Sequence, residues 1–128
     1  MRPIKFRAWK KVEPMDKYMH PDFHGAMHDI KPNPLNNFFD YCIERPEEYE
    51  LMQFTGLHDK NGKEIYEGDV VEFENYRDGQ QYYKARETIR FDLGMFHIYG
   101  EPLRNFQNIE VIGNIYSNPE LLNNESTN

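Results

Sequence analysis

The stretch from Thr55 to Phe73, TGLHDKNGKEIYEGDVVEF, decides the fold of this chain. Its segment 59–62 (DKNG) predicts a hairpin turn, because Asn-Gly supplies the positive φ values that a type I′ turn requires. Gly68 and Asp69 predict a second turn, in which Gly68 lets the backbone bend and Asp69 accepts hydrogen bonds from free backbone N–H groups. The stretch therefore indicates two short strands, each entered through a turn.

Further short strands, separated by turn residues, surround this stretch. Gly94 lies between two of them and suits a positive φ. Short strands separated by turns about every 8–12 residues are typical of a small β-barrel or sandwich. We predict strands at 49–54, 65–66, 70–73, 87–91, 95–99 and 109–115, with polar loops at 75–85 and 101–108.

The first third of the chain predicts one strand, one loop and one helix. Residues 3–12 have the alternation of a half-buried strand. One face carries Ile4, Phe6 and Ala8, and the other carries Lys5, Arg7 and Trp9. Residues 20–34 contain three prolines and predict an irregular loop. A helix is predicted over 34–44, with Asn33 as N-cap, Pro34 at its first position and Pro46 beyond its end.

The composition is that of an acidic chain of 128 residues, rich in aromatic side chains. The chain has 22 Asp and Glu against 15 Lys and Arg, which gives a net charge of −7. This charge repels nucleic acid and anionic membranes overall. Aromatic residues make up 15% of the chain, and these favour strands and bury a large area per residue. No stretch is long and apolar enough to span a bilayer, so no membrane association is predicted.

Cys42 is the only cysteine, so no disulfide can form within the chain. This fits the reducing environment of the cytoplasm. Its apolar neighbours Phe38, Phe39 and Ile43 predict a buried, unreactive thiol, because burial in apolar surroundings raises the pKa of a thiol.

The predicted elements divide the chain into three parts. Residues 1–48 hold the first strand, the irregular loop and the short helix, residues 49–122 form a barrel-like domain, and residues 123–128 are a polar tail that we expect to be frayed. The predicted fold class is mainly β, with a small SH3-like, partly open barrel in the second half.

Three ordered blocks of the chain resemble the YopX family of small proteins encoded by phages and prophages. The blocks are MRPIKFRAWKK at 1–11, LMQFTGLHDKNGKEIYEGDVV at 51–71 and VIGNIYSNPELL at 111–122. The resemblance implies a mainly β architecture, with the barrel in the second half, and action in the cytoplasm of a bacterial host cell. It supplies no catalytic residue, since none is established for the family.

Nine signature positions of that family are present, and their residue types favour a structural role. Gly, Asn and Asp at turns usually serve the backbone. Asn118 is also expected to cap a final helical turn that reaches Leu122. The nine positions are Thr55, Gly56, Asn61, Gly62, Gly68, Asp69, Gly113, Asn118 and Pro119.

One candidate metal site consists of three histidines spaced four residues apart, His20, His24 and His28. On a helix they would share one face, and three histidines with an open position are typical of hydrolytic zinc sites. Pro21 and Gly25 argue against a regular helix there. Three solvated loop histidines are therefore the favoured interpretation, and no cofactor is predicted.

One candidate nucleic-acid site lies within residues 76–90, where Tyr82 and Tyr83 accompany Arg86 and Arg90. Barrels bind single strands with aromatic and cationic side chains of this kind. The alternative is an exposed hairpin tip with cross-strand tyrosine packing, which the net charge favours. The basic opening strand, from Arg2 to Lys11, is the other candidate.

The sequence favours a binding protein over an enzyme. It contains no glycine-rich phosphate loop, no serine nucleophile elbow and no Cys/His cluster. Aromatic and methionine side chains are enriched at protein interfaces. We therefore predict a non-enzymatic phage or prophage protein that binds another protein or itself, with nucleic-acid binding as the alternative.

Overall fold

The computed structural model describes residues 4–11, 25–31, 37–77 and 80–123. The chain divides into two compact units, Met1–Gln53 and Phe54–Asn128. Strands dominate the described residues, which confirms the mainly β prediction. The strands are β1 (Phe6–Lys11), β2 (Gly25–Ile30), β3 (Tyr49–His58), β4 (Glu64–Tyr66), β5 (Asp69–Arg77), β6 (Gln80–Thr88), β7 (Arg90–Asp92), β8 (Met95–Ile98), β9 (Glu101–Pro102) and β10 (Gln107–Asn114). The helices are α1 (Phe38–Ile43) and α2 (Glu120–Asn123), with a short 3₁₀ turn at Leu103–Asn105.

In the first unit, β1 is a central strand that pairs antiparallel with β2 on one side and with the first half of β3 on the other. Both of its faces are covered, since Arg7 and Trp9 are buried as well as Ala8. The prediction of a half-buried strand with Arg7 and Trp9 exposed is therefore wrong. The alternation was correct, but it could not show that the face carrying Arg7 and Trp9 is also buried.

The strand β2 corrects the predicted loop at 20–34. Residues 25–30 (GAMHDI) lack the alternation of apolar and polar residues that marks a strand. They are extended because their backbone pairs with β1 along its whole length, from Phe6–Ile30 to Lys11–Gly25. Strand formation here depends on the partner more than on local preference.

The helix α1 starts later than predicted. It begins at Phe38, and the side chain of Asn37, not Asn33, caps it by accepting a hydrogen bond from the N–H of Asp40. Asn33 and Pro34 lie outside the described residues. The apolar face was predicted correctly at Cys42, which is 1% exposed and packs with Ala8 and Tyr49.

In the second unit, β5 is the central strand of a curled, partly open barrel sheet. It pairs antiparallel with β10 and with β6. The β5–β6 pairing continues to Arg77 and Gln80, so the predicted polar loop at 75–85 is wrong: these polar residues form the arms of a long hairpin. The core consists of Ile65, Val71, Phe73, Ile89, Ile98, Leu103 and Val111.

A small meander of β7, β8 and β9 completes the second unit. Its two turns both have positive φ at their central residues, 54° and 78° at Leu93-Gly94 and 56° and 80° at Tyr99-Gly100. This is the φ pattern of type I′ turns. The positive φ predicted at Gly94 is confirmed, whereas the same conformation at Leu93 and Tyr99 has no signal in the sequence.

Candidate functional site

A groove opens on the second unit between the loop after β3 and strand β10. Its volume is about 340 Å³, and apolar side chains from four parts of the chain form its walls. Polar groups of His58, Lys60 and Asn108 lie at its edge. A groove of this size and mixture is the usual form of a binding site. Its apolar lining consists of Leu57, Ile65, Leu103, Phe106 and Ile109.

The floor of the groove belongs to the core of the unit. Ile65 and Leu103 are 1% and 4% exposed, and the ring of Phe106 packs edge-on against that of Phe73 with centroids 4.8 Å apart. Leu57, by contrast, is 46% exposed. The groove therefore has a rigid floor and one apolar side chain that remains free to contact a partner.

The loop that forms one wall is closed by Asp59. Its Oδ1 accepts hydrogen bonds from the N–H groups of Asn61 and Lys63, at 2.8 and 2.9 Å. The backbone N–H of Asp59 donates to the carbonyl of Lys63. Only Gly62 has a positive φ, 85°, so the predicted type I′ turn at Asn61-Gly62 is replaced by a longer loop built around the aspartate.

Asp59 also joins this loop to the opposite wall. Its Oδ2 accepts from the N–H of Val111 at 2.9 Å, and the N–H of Lys60 donates to the carbonyl of Ile109 at 2.9 Å. Burial alone raises the pKa of the Asp59 carboxyl, but the bonds from Val111, Lys63 and Asn61, with the charge of Lys63, outweigh it and leave the pKa below its ordinary value. The carboxylate is thus charged and fully engaged.

The edge of the groove is held by one ion pair and one hydrogen bond, each of which involves a residue of β10. The ammonium of Lys60 lies 3.5 Å from a carboxylate oxygen of Glu110. Asn108 has φ 53° and donates from Nδ2 to Glu74 at 2.8 Å. The pairing of β10 with β5 shifts register at this point, which bends the strand next to the groove.

Thr55 and Gly56 form a bulge in β3 just before the groove. The hydroxyl of Thr55 donates to the carbonyl of Ile65 at 2.7 Å and accepts from the N–H of Leu57 at 3.1 Å. Gly56 has φ 88°, and the register of β3 against β4 shifts between Phe54 and His58. The bulge sets the position of Leu57 at the groove.

The remaining predicted signature positions lie at two other turns. Asp69 is 1% exposed and accepts from the N–H of Tyr66 at 2.8 Å, while Gly68 has φ 85°. Gly113 lies against the side chain of Asn118, whose Oδ1 accepts from the N–H of Asn114. The side chain of Asn118 thus bonds back to β10, while its carbonyl accepts from the N–H of Leu121 in the last helix at 3.1 Å. Pro119 lies in the turn directly before α2, which starts at Glu120.

The predicted histidine site is not assembled in the described part of the chain. His20 and His24 lie outside the described residues. His28 lies exposed on β2, with its ring edge-on to that of Phe38. Among the described residues, no three His, Cys, Asp or Glu side chains are placed to hold a metal ion.

The predicted nucleic-acid residues are distributed over two strands. Tyr82 and Tyr83 lie on β6, and their side chains are outside the described set. The guanidinium of Arg86 already has partners within the chain. Its Nε lies 3.1 Å from a carboxylate oxygen of Glu72, and its Nη1 lies 3.4 Å from the carbonyl oxygen of Leu121. Arg90 is exposed on β7.

His97 and Asp92 form a pair that sequence reasoning missed. The Nδ1 of His97 accepts from the N–H of Gly100 at 2.9 Å, so its Nε2 carries the proton and donates to Asp92. The imidazole is 5% exposed. Because both nitrogens are engaged, His97 has a structural role: it joins the residues that flank the two type I′ turns.

Comparison with known proteins finds a family model and solved structures that are similar to this chain. The family model described as "YopX protein" matches residues 5–123. The crystal structure of protein EF1440 from Enterococcus faecalis is 24% identical, with a TM-score of 0.54, and the match covers 95% of this chain and 99% of that chain. At this identity the likeness concerns the fold alone. No curated protein matches the chain, and no helix among the described residues is long and apolar enough to cross a membrane.

Proposed function

The chain belongs to the YopX protein family, and we propose that it is a non-enzymatic binding protein that holds a protein partner in the groove of its second unit. The observation that carries this proposal is the groove itself. It combines a rigid apolar floor, an exposed Leu57 and a polar edge. Apolar centres with polar rims are characteristic of protein interfaces.

The engagement of the reactive side chains supports binding over catalysis. Asp59, at the groove, is occupied by three backbone N–H groups, and both nitrogens of His97 have partners. Burial raises the pKa of the Cys42 thiol, against a smaller opposing effect of Arg45. Groups that already serve the fold in this way are not poised to act on a substrate.

The family resemblance supports a phage or prophage setting, and the single cysteine supports a reducing compartment such as the bacterial cytoplasm. Nucleic acid is the competing partner. The exposed cations Lys84 and Arg90 would carry it, but Arg86 beside them is neutralised by Glu72. A protein partner is therefore the better fit to the described surface.

The experiment is an affinity capture from bacterial cells during infection or prophage induction, performed with and without nuclease. The wild-type chain is compared with Leu57→Asp, which places a charge in the groove, and with Ile4→Asp, which places the same charge on an apolar side chain that is 66% exposed outside the groove. We expect a protein that survives nuclease, is lost with Leu57→Asp and is retained with Ile4→Asp.

Two results would overturn the proposal. If the captured material disappeared on nuclease treatment, the partner would be nucleic acid. An association constant for nucleic acid that falls as the salt concentration rises would confirm this. Recovery that is equal for Leu57→Asp and the wild type would show that the groove takes no part in binding.

A further inference from the structure

The loop after β3 contains an asparagine followed directly by a glycine, Asn61-Gly62, and both residues are exposed. Asparagine is a thermolabile residue, and it deamidates fastest before glycine, because glycine has no side chain to keep its backbone nitrogen away from the asparagine carboxamide. A Cβ placed on Gly62 would contact no other atom among the described residues. Packing therefore does not protect this pair, and any protection must come from hydrogen bonds.

Deamidation here is a reaction of the chain with itself and with water. The backbone nitrogen of Gly62 loses its proton to base and attacks Cγ of Asn61. The new N–Cγ bond closes a succinimide ring, and the side-chain amide takes up a proton and leaves as ammonia. Water then opens the ring at either carbonyl, which leaves aspartate or isoaspartate at position 61. The reaction therefore requires a free N–H at Gly62 and a peptide group that can turn toward the asparagine side chain.

The folded loop meets neither requirement, because three successive N–H groups donate to one residue, Asp59. Those of Asn61 and Lys63 donate to its Oδ1 at 2.8 and 2.9 Å, and that of Gly62, between them, donates to its carbonyl at 3.0 Å. The N–H of Asp59 donates in turn to the carbonyl of Lys63 at 2.8 Å. The attacking nitrogen is thus already bonded, and the peptide groups on either side of it are held in place.

The Asp59 side chain is itself fixed from outside the loop. It is 8% exposed, and its Oδ2 accepts from the N–H of Val111 at 2.9 Å. The N–H of Lys60 donates to the carbonyl of Ile109, also at 2.9 Å. Gly62 can therefore be released only by an opening that breaks the bonds of Asp59, and such local openings are rare in a folded sheet.

We propose that Asn61-Gly62 is a latent self-modification site that Asp59 keeps inactive, so that the chain deamidates at Asn61 only when this loop opens. The inference needs no partner and is independent of the proposed function. Either product places a second carboxylate close to that of Asp59, and like charges repel each other. Isoaspartate also routes the main chain of the loop through its side chain. Both changes oppose the hydrogen bonds that close the loop, so deamidation would damage this wall of the groove.

The first test compares the folded and the unfolded chain. The purified full chain is incubated at mildly alkaline pH, with and without urea, and is then digested with a protease that cleaves after glutamate. The peptide 51–64 reports deamidation by its increase in mass, and fragmentation of the peptide assigns the change to Asn61. We expect the chain in buffer to react at least about tenfold more slowly than the chain in urea, because only the folded loop holds the N–H of Gly62.

The second test assigns the protection to Asp59. Asp59→Ala removes the acceptor for the N–H groups of Asn61 and Lys63, and it should deamidate several-fold faster than the wild type while circular dichroism shows it to be folded. Ile98→Val is the control, since it loosens the buried core of the same unit and leaves the loop intact, and it should react like the wild type. If Asp59→Ala does not fold, Asp59→Glu replaces it, because it keeps the charge but moves the carboxylate by one methylene.

Two outcomes would overturn the inference. Equal rates in buffer and in urea would show that the folded loop gives no protection. A folded Asp59 variant that deamidates no faster than Ile98→Val would show that the protection does not come from Asp59.

Discussion

The carboxylate of Asp59 accepts a hydrogen bond from the N–H of Val111, 52 residues further along the chain, at 2.9 Å. The same side chain closes the loop after β3 through Asn61 and Lys63. One residue therefore sets both the shape of that loop and its distance from β10. These are the two walls of the groove, so the groove depends on Asp59 although no partner needs to touch it.

Asp59→Asn should lower the free energy of unfolding by about 1–3 kcal/mol, because an amide offers one acceptor oxygen in place of two and leaves a buried backbone N–H without a partner. Urea unfolding monitored by circular dichroism measures the change. Glu110→Gln is the matched control, since it removes the exposed ion pair with Lys60 and should cost no more than about 1 kcal/mol. Equal stability of Asp59→Asn and the wild type would contradict the role given to the carboxylate.

Asp59 should also make stability depend on acid. The pKa of its carboxyl is lower in the folded chain than the ordinary value of 3.8. Its contribution to stability is therefore complete above the unfolded-state pKa and is lost as the pH falls through the folded-state pKa. Between pH 5 and about pH 3, unfolding free energies of the wild type should fall more steeply than those of Asp59→Asn. Parallel curves for the two proteins would show that another group controls this pH range.

The left-handed conformation of Leu93 predicts opposite effects of two substitutions. Leu93→Asn should raise the unfolding free energy by roughly 1 kcal/mol, because Asn accepts positive φ. Leu93→Val should lower it by a similar amount, because a β-branched residue is poorly accommodated at φ 54°. Thermal unfolding monitored by circular dichroism measures both changes. A lower melting temperature for Leu93→Asn would contradict the assigned strain.

Gly62 and Gly113 should respond differently to substitution, although both are among the signature positions predicted from the sequence. Gly62 has φ 85° and open space around it, so Gly62→Ala should cost roughly 1 kcal/mol and Gly62→Asn should cost less. A Cβ at Gly113 would lie 2.6 Å from Oδ1 of Asn118 and 2.7 Å from Leu121. Gly113→Ala should therefore cost about 1–3 kcal/mol, and Asn should be no better than Ala there. Urea unfolding of the four variants measures these free energies. If Asn were less destabilising than Ala at position 113 as well as at position 62, the steric clash assigned to Gly113 would be contradicted.

The sequence predicted those parts of the fold in which local chemistry determines the backbone. Strands around residues 49–54 and 70–73 follow from their apolar patterns, and Gly94 has its predicted positive φ. By contrast, β2 and the arms of the β5–β6 hairpin are polar segments that are extended only because another strand pairs with them. Local sequence carries no signal for such pairing.

The groove could not be predicted, for a related reason. Leu57, Leu103 and Ile109 are far apart in the sequence, and only the fold brings them to one surface. Asp59 was recognised as a turn residue, but its bond to Val111 is a tertiary contact. The strain at Leu93 is equally invisible, because the sequence Asp-Leu-Gly gives no indication that the leucine itself has a positive φ.

The buried thiol of Cys42 should react slowly with thiol reagents in the folded chain. The side chain is 1% exposed, and burial raises its pKa despite the smaller opposing effect of Arg45, so little thiolate is present or accessible near neutral pH. Labelling with a chromogenic disulfide reagent should be slow under native conditions and rapid in urea. Ile43→Cys in a Cys42→Ala background provides the control, because Ile43 is 50% exposed one position along the same helix. If native Cys42 reacted as fast as the thiol at position 43, Cys42 would be an accessible, activated group and therefore a candidate nucleophile.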